Sequence, residues 1–292
     1  MKSTILHLKF LFTIVLFFTI FMVSCDKKED VKPAIPETEV AGLQRIDTLN
    51  NGNYTFYIYK KDTGKLVVGY NEVYIQLKNN STGNFVEDAN LSWKPLMHMT
   101  STSHACPYSI ISKMTDTKTF YKGYILFIMA SDNTDYWEIT YNYTSGTDTL
   151  SRVSNRPPVM NATGRIHYKS FTGSDDGFYF LALVNPEKPK TGINDITVCL
   201  FKKIDRYTFI PVANYTIDID PRMPEMDNHT TTDNVKLVFD SSTGLYNGKL
   251  NLNMTGYWKV NMIIRETDST ILKGESITGT TTASSIYFEL EF

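Results

Sequence analysis

Four residues of this chain occur twice at one fixed spacing. His104, Tyr121, Gly123 and Met129 return as His229, Tyr246, Gly248 and Met254, each 125 positions further on (104 to 229, 129 to 254). Methionines gather ahead of both histidines: Met97 and Met99 flank His98 before His104, and Met223 and Met226 precede His229. Thioether sulfur and imidazole nitrogen are soft donors, suited to Cu(I) and poor for Mg²⁺ or Ca²⁺. A Met-x-x-Met-x-x-His run could bring two sulfurs and one nitrogen together from a single turn. The candidate metal ligands are therefore Met223, Met226 and His229 in the second copy and Met97, His98, Met99 and His104 in the first, with copper as the candidate metal.

The competing reading is packing, because Met fills irregular core gaps. Met129 and Met254 lie just ahead of Trp137 and Trp258, and are assigned to the core on strand ends. Met97, Met99, Met223 and Met226 are assigned to loops, where a purely structural role is less natural. The first copy departs from the second: it lacks the intervening Pro and adds His98 and Cys106 close by. Asp218, Asp220, Glu225 and Asp227 flank the second cluster without the spacing of an EF-hand, and fit a solvated loop. No nucleophile–base order, phosphate loop or facial triad stands out, so no catalytic residue is assigned and the chain is not expected to be an enzyme.

The elements that must hold these residues are strands. Gly52 to Ile58 matches Gly177 to Leu183, and Gly69-Tyr70-Asn71-Glu72 matches Gly192-Ile193-Asn194-Asp195. Each of the latter leads into an alternating run: Val73, Ile75 and Leu77, or Ile196, Val198 and Leu200. Such alternation predicts a half-buried antiparallel sheet with one apolar and one mostly polar face. Trp258, Val260 and Met262 are expected to face inward after a turn at Met254–Tyr257. No stretch holds a helical period. The expected fold class is all-β, with two tandem immunoglobulin-like β-sandwich domains of about seven strands each. The expected division is residues 40–153 for the first domain, 154–158 for a Pro-containing linker and 159–292 for the second domain.

The 292 residues suffice for two domains, and a formal charge of −2 offers no basic stripe for nucleic acid. Residues 1–25 are read as a signal: a polar start, an apolar run from Phe10 to Val23, and then Ser24-Cys25. This end resembles a bacterial lipoprotein signal, which implies lipidation of Cys25 and a membrane attachment through the lipid. Residues 26–39, with Asp26-Lys27-Lys28-Glu29-Asp30, Pro33 and Pro36, read as a tether. The implied location is the bacterial cell envelope, on the periplasmic or the surface side. Cys106 and Cys199 sit at non-equivalent positions of the two copies, so no disulfide is expected within a domain.

The run Met223-Pro224-Glu225-Met226, then His229, Tyr246-x-Gly248 and Met254-Thr255-Gly256-Tyr257-Trp258, resembles the YtkA-like domain, related to FixH-like proteins. The resemblance covers most of the second copy, and the first copy is a degenerate version with a longer hairpin before Trp137. It implies exported immunoglobulin-like sandwiches linked with copper handling or oxidase assembly. The resulting expectation is a lipid-anchored protein that binds Cu(I) through its Met/His clusters, as a metal chaperone or sensor, with an envelope protein as candidate partner. The alternative is a non-enzymatic adhesion, scaffolding or interaction lipoprotein, in which the clusters only cap the sandwich ends.

Overall fold

The computed structural model describes residue 39 and residues 41–61, 64–144 and 151–292. The expected signal, Cys25 and the tether up to residue 38 lie outside the described residues. Glu39–Phe292 form one compact unit.

The first half contains β1 (Leu43–Asn50), β2 (Tyr54–Lys61), β3 (Leu66–Val67), β4 (Gly69–Asn79), β5 (Asn90–His98), β6 (Ser103–His104), β7 (Ser112–Lys113), β8 (Phe120–Phe127), β9 (Tyr136–Thr144) and β10 (Ser151–Asn155). Then β11 (Val159–Met160) leads to the second half: β12 (Tyr168–Thr172), β13 (Phe178–Asn185), β14 (Gly192–Lys203), β15 (Phe209–Pro211), β16 (Thr216–Met223), β17 (His229–Thr230), β18 (Val235–Asp240), β19 (Leu245–Leu252), β20 (Tyr257–Arg265), β21 (Ile271–Lys273) and β22 (Tyr287–Glu291). The one helical turn among the described residues is a 3-10 turn at Pro224–Met226. The fold is an all-β sandwich.

In the first half, a sheet of order β1-β2-β4-β8-β7 faces one of order β10-β9-β5-β6. Alternation makes the core. Phe56 and Ile58, Val73, Ile75 and Leu77, and Ile125 and Phe127 point from one sheet at Trp93, Met97, Trp137, Ile139 and Tyr141 from the other. The second half repeats this plan with β12-β13-β14-β19 on one side and β16-β20-β21 on the other, joined by β18, which pairs with both β19 and β16. Trp258, Val260 and Met262 face its core, as expected.

The duplication reaches side-chain hydrogen bonds. Asn71 Nδ2 donates to the carbonyls of Val67 and Gly69, and its Oδ1 accepts from Val67 N–H. Asn194 does the same with Lys190 and Gly192. Gly123 and Gly248 are glycines for a steric reason. A Cβ on Gly248 would stand 2.5 Å from the Val235 carbonyl oxygen, and one on Gly123 would stand 2.7 Å from the Trp93 ring. The residue two before each is a buried Tyr whose hydroxyl is tied to a distant backbone: Tyr121 donates to Val86 O and accepts from Ala89 N–H, and Tyr246 donates to Val212 O.

Two expectations meet a different geometry. Residues 154–158, expected as a linker, begin inside β10, and β11 pairs in parallel with β3 of the first half. The outward face of β14 is not polar and solvated: Ile196 to Phe201 are all buried, on both faces. Phe180, Ala182, Cys199 and Phe201 pack with Leu126 of the first half, flanked by Tyr70, Tyr124 and Tyr168. The apolar run Val198–Phe201 has this cause, since a strand covered on both sides has little need of a polar face, and the buried Thr197 is satisfied by donating to Asn247 Oδ1.

Candidate metal centre

In the first half, β5 runs between β6 and β9. Met97 is the direct partner of His104 on one side and of Trp137 on the other. Directly opposed residues on neighbouring strands project to the same face. Trp137, Met97 and His104 thus form a row across three strands, aimed inward, with Met97 and Trp137 fully buried. A tight turn closed by Met99 N–H to Thr102 O returns the chain from β5 to β6.

Met129 completes the group from the loop after β8. Its carbonyl accepts the Trp137 indole N–H at 3.0 Å, which anchors the loop. Its sulfur lies 3.2 Å from His104 Nε2. The other ring nitrogen, Nδ1, is 2.9 Å from the Ala105 carbonyl. A carbonyl can only accept, so Nδ1 carries a proton. In the neutral ring, Nε2 is then a bare lone pair facing a thioether lone pair. The Trp137 ring meets His104 edge-on at 5.5 Å.

The second half holds the counterpart with one difference. Met223 closes β16 and pairs with His229 of β17. The β16–β20 pairing reaches Arg222 with Lys259, one step before Met223 and Trp258. The Trp258 indole donates to the Met254 carbonyl at 3.0 Å, as Trp137 does to Met129. His229, however, turns its Nε2 to the Asn253 side-chain amide, 3.2 Å from Oδ1. Its ring centre is 6.1 Å from that of Trp258.

The sequence-assigned ligands therefore separate. Met97 and His104 are brought together, as are Met223 and His229. Met97 and Met223 are strand residues, not loop residues: Met97 is 0% and Met223 4% exposed. Met226 is 49% exposed on the Pro224–Met226 turn, away from the core. His98, next to Met97 on a strand, projects to the opposite face and stacks on Tyr136 at 5.0 Å. Met99 is half-buried against the first core. Met129, assigned to a core strand end, lies in a loop with its sulfur on His104. The signal for it was present, since it closes the repeated His-to-Met spacing.

Cys106 adds no ligand in this state, because full burial pushes its thiol well above the ordinary range. Burial does the same to Cys199, up to about 12. Both thiols are free. Asp218 and Asp220 are engaged by Arg265 and Arg222. No group of three or more His, Cys, Asp or Glu among the described residues has a metal-holding arrangement. A metal here must accept thioether sulfur.

The second half also holds the first site's outer wall. The hairpin between β14 and β15 supplies Arg206, whose carbonyl accepts Ala105 N–H at 2.9 Å and whose guanidinium donates to Thr102 Oγ1. The Tyr207 hydroxyl lies 3.0 Å from Ser103 Oγ. Both neighbours of His104 are fixed from across the interface.

No curated protein matches this chain. Residues 178–262, within the second half, match the family model for YtkA-like domains.

Proposed function

We propose that the chain is a Cu(I)-binding protein of the cell envelope, held to a membrane by lipid on Cys25, and that it carries copper as cargo or senses it. The supporting observation is the pair His104 Nε2 and Met129 Sδ at 3.2 Å, two lone pairs with no proton between them when the ring is neutral. Such a pair is stabilised by a soft cation. The Met97 thioether, in the row beside His104, is the next donor in reach, and the Trp137 ring shields the group from water. Bound copper would neutralise the facing lone pairs; the chain's own part is to fix the tautomer through Ala105 and the thioether through Trp137.

The Met223–His229 pair is the second, weaker site in this reading, since Asn253 already occupies His229. The matched Asn loops, Tyr-x-Gly strands and Trp–carbonyl bonds support reading the first half as a second, diverged YtkA-like domain.

The test is a Cu(I) titration of the chain from Asp26 onward against a chelator of known affinity. One equivalent bound with Kd below about 1 µM, lost in His104→Ala, is the expected result. Binding of undiminished affinity in His104→Ala combined with Met129→Leu overturns the site. No binding at all leaves the interaction-lipoprotein reading.

A further inference from the structure

The first half carries a cleft that shares no residue with the His104–Met129 group. Its volume is about 330 Å³, at the lower end of small-molecule sites. Ile58, Leu66, Ile139, Tyr141, Pro157 and Pro158 line it. The prolines make that wall stiff, since their φ angles are locked by the ring.

One polar group in it has no partner. Asn155 Nδ2 donates to Asp47 Oδ2 at 2.7 Å. A carboxylate cannot donate, so the amide cannot be turned over, and Oδ1 is fixed as the remaining acceptor. That oxygen is buried and receives no hydrogen bond. Native proteins rarely leave a buried acceptor in this state.

The lining is built by an irregularity. The β1–β2 register shifts between Arg45 and Asp47. In a regular strand, consecutive residues point to opposite faces; here Ile46 and Asp47 both line the cleft. Asp47 is thereby placed to hold Asn155, while its other oxygen accepts from Thr48 N–H. The charged residues Lys65 and Arg156 also line it, and Arg156 is engaged with Glu138 and stacked over Tyr136. The chemistry on offer is a cleft with an apolar wall, charged groups in its lining, and one acceptor without a partner.

We propose that this cleft binds a small uncharged molecule with a compact apolar body and one N–H or O–H donor, which Asn155 Oδ1 accepts. The donor restores the missing hydrogen bond and the walls cover the apolar body.

Indole is the probe, and 1-methylindole, which lacks the donor, is the control. Both are titrated into the chain from Asp26 onward, which retains the whole compact unit, and followed by ¹H–¹⁵N NMR. Saturable shifts around Asn155 are expected, with 1-methylindole at least about tenfold weaker, because it leaves the acceptor unpaired. Asn155→Leu should erase that difference. Indole that fails to saturate by about 10 mM, or equal binding of the two compounds, overturns the proposal. The wild-type comparison decides even if the variant does not fold. Loss of copper binding elsewhere would not move this readout.

Discussion

His104 Nε2 and Met129 Sδ lie 3.2 Å apart, with Nδ1 of the same ring held on a carbonyl. The equivalent nitrogen in the second half faces Asn253. One scaffold thus presents two versions of the same pair, one with sulfur against nitrogen and one with an amide in the sulfur's place. The amide belongs to Asn253, the residue before Met254, while Met254 is the counterpart of Met129 in the repeat.

Asymmetry between the sites follows. Met129→Leu should weaken Cu(I) binding about 100-fold or more, while Met254→Leu should change it by no more than a few-fold. Competition titrations of the two variants measure this directly. Equal effects would mean that the His104–Met129 distance does not set affinity.

The indole–carbonyl bonds have a structural role that stands apart from any metal. Trp258 is fully buried and its N–H goes to Met254 O. Trp258→Phe removes both the bond and part of the ring, leaving a half-buried carbonyl without this donor. A loss of about 2–4 kcal/mol is expected from urea unfolding. A loss near zero would show that the carbonyl finds water or another donor.

Much of this architecture is legible in the residues themselves. The 125-residue repeat, the inward Trp258-Val260-Met262 face and the Tyr-x-Gly strands all follow from period and spacing. Two things do not. A buried second face is invisible at Cys199 and Phe201, because an apolar run looks alike whether its cover is a second sheet or a second domain. The division of labour among the methionines is also hidden. Met97 and Met129 are equally apolar, and only the loop's anchoring on Trp137 aims the second sulfur at His104.

The close approach at Gly248 gives a sharper prediction. A Cβ there meets the Val235 and Lys236 carbonyls, at 2.5 and 3.1 Å, and backbone cannot rotate away as a side chain can. Gly248→Ala should cost about 2–3 kcal/mol. Gly279→Ala, where nothing lies within 4 Å, is the matched control and should stay within about 0.5 kcal/mol. Thermal unfolding of both variants checks the contrast.

Thiol chemistry reports on the interface between the halves. Cys199 is sealed between them and Cys106 beneath the first core's rim, both fully buried with raised thiol pKa. The thiolate is the reactive form, so neither should react with an aromatic disulfide reagent at pH 8 in the folded protein. Two thiols per chain should appear on unfolding when the fragment begins after Cys25. Leu126→Asp places a charge against the Cys199 cluster and should release Cys199 alone, at least about tenfold faster than in wild type. Release of both thiols together would mean that the halves do not open independently.

The last prediction concerns acid stability. Asp175 is held at about 2: burial alone would raise it, but hydrogen bonds from Lys202, Tyr179 and the Gly177 N–H more than offset that. Lys202 Nζ stands 2.6 Å from its carboxylate. A carboxylate whose folded pKa is depressed stabilises the fold above its unfolded value, near 4, and that contribution is lost as pH falls through about 2. Because both partners are about a third exposed, solvent screening limits the effect to about 1 kcal/mol. Asp175→Asn should therefore lower stability by about that amount at pH 6 and by nearly nothing at pH 2, as measured by urea unfolding across the range. A difference that stays constant with pH would assign the loss to the Tyr179 hydroxyl contact, which the asparagine reshapes at any pH, and not to the charge on Asp175.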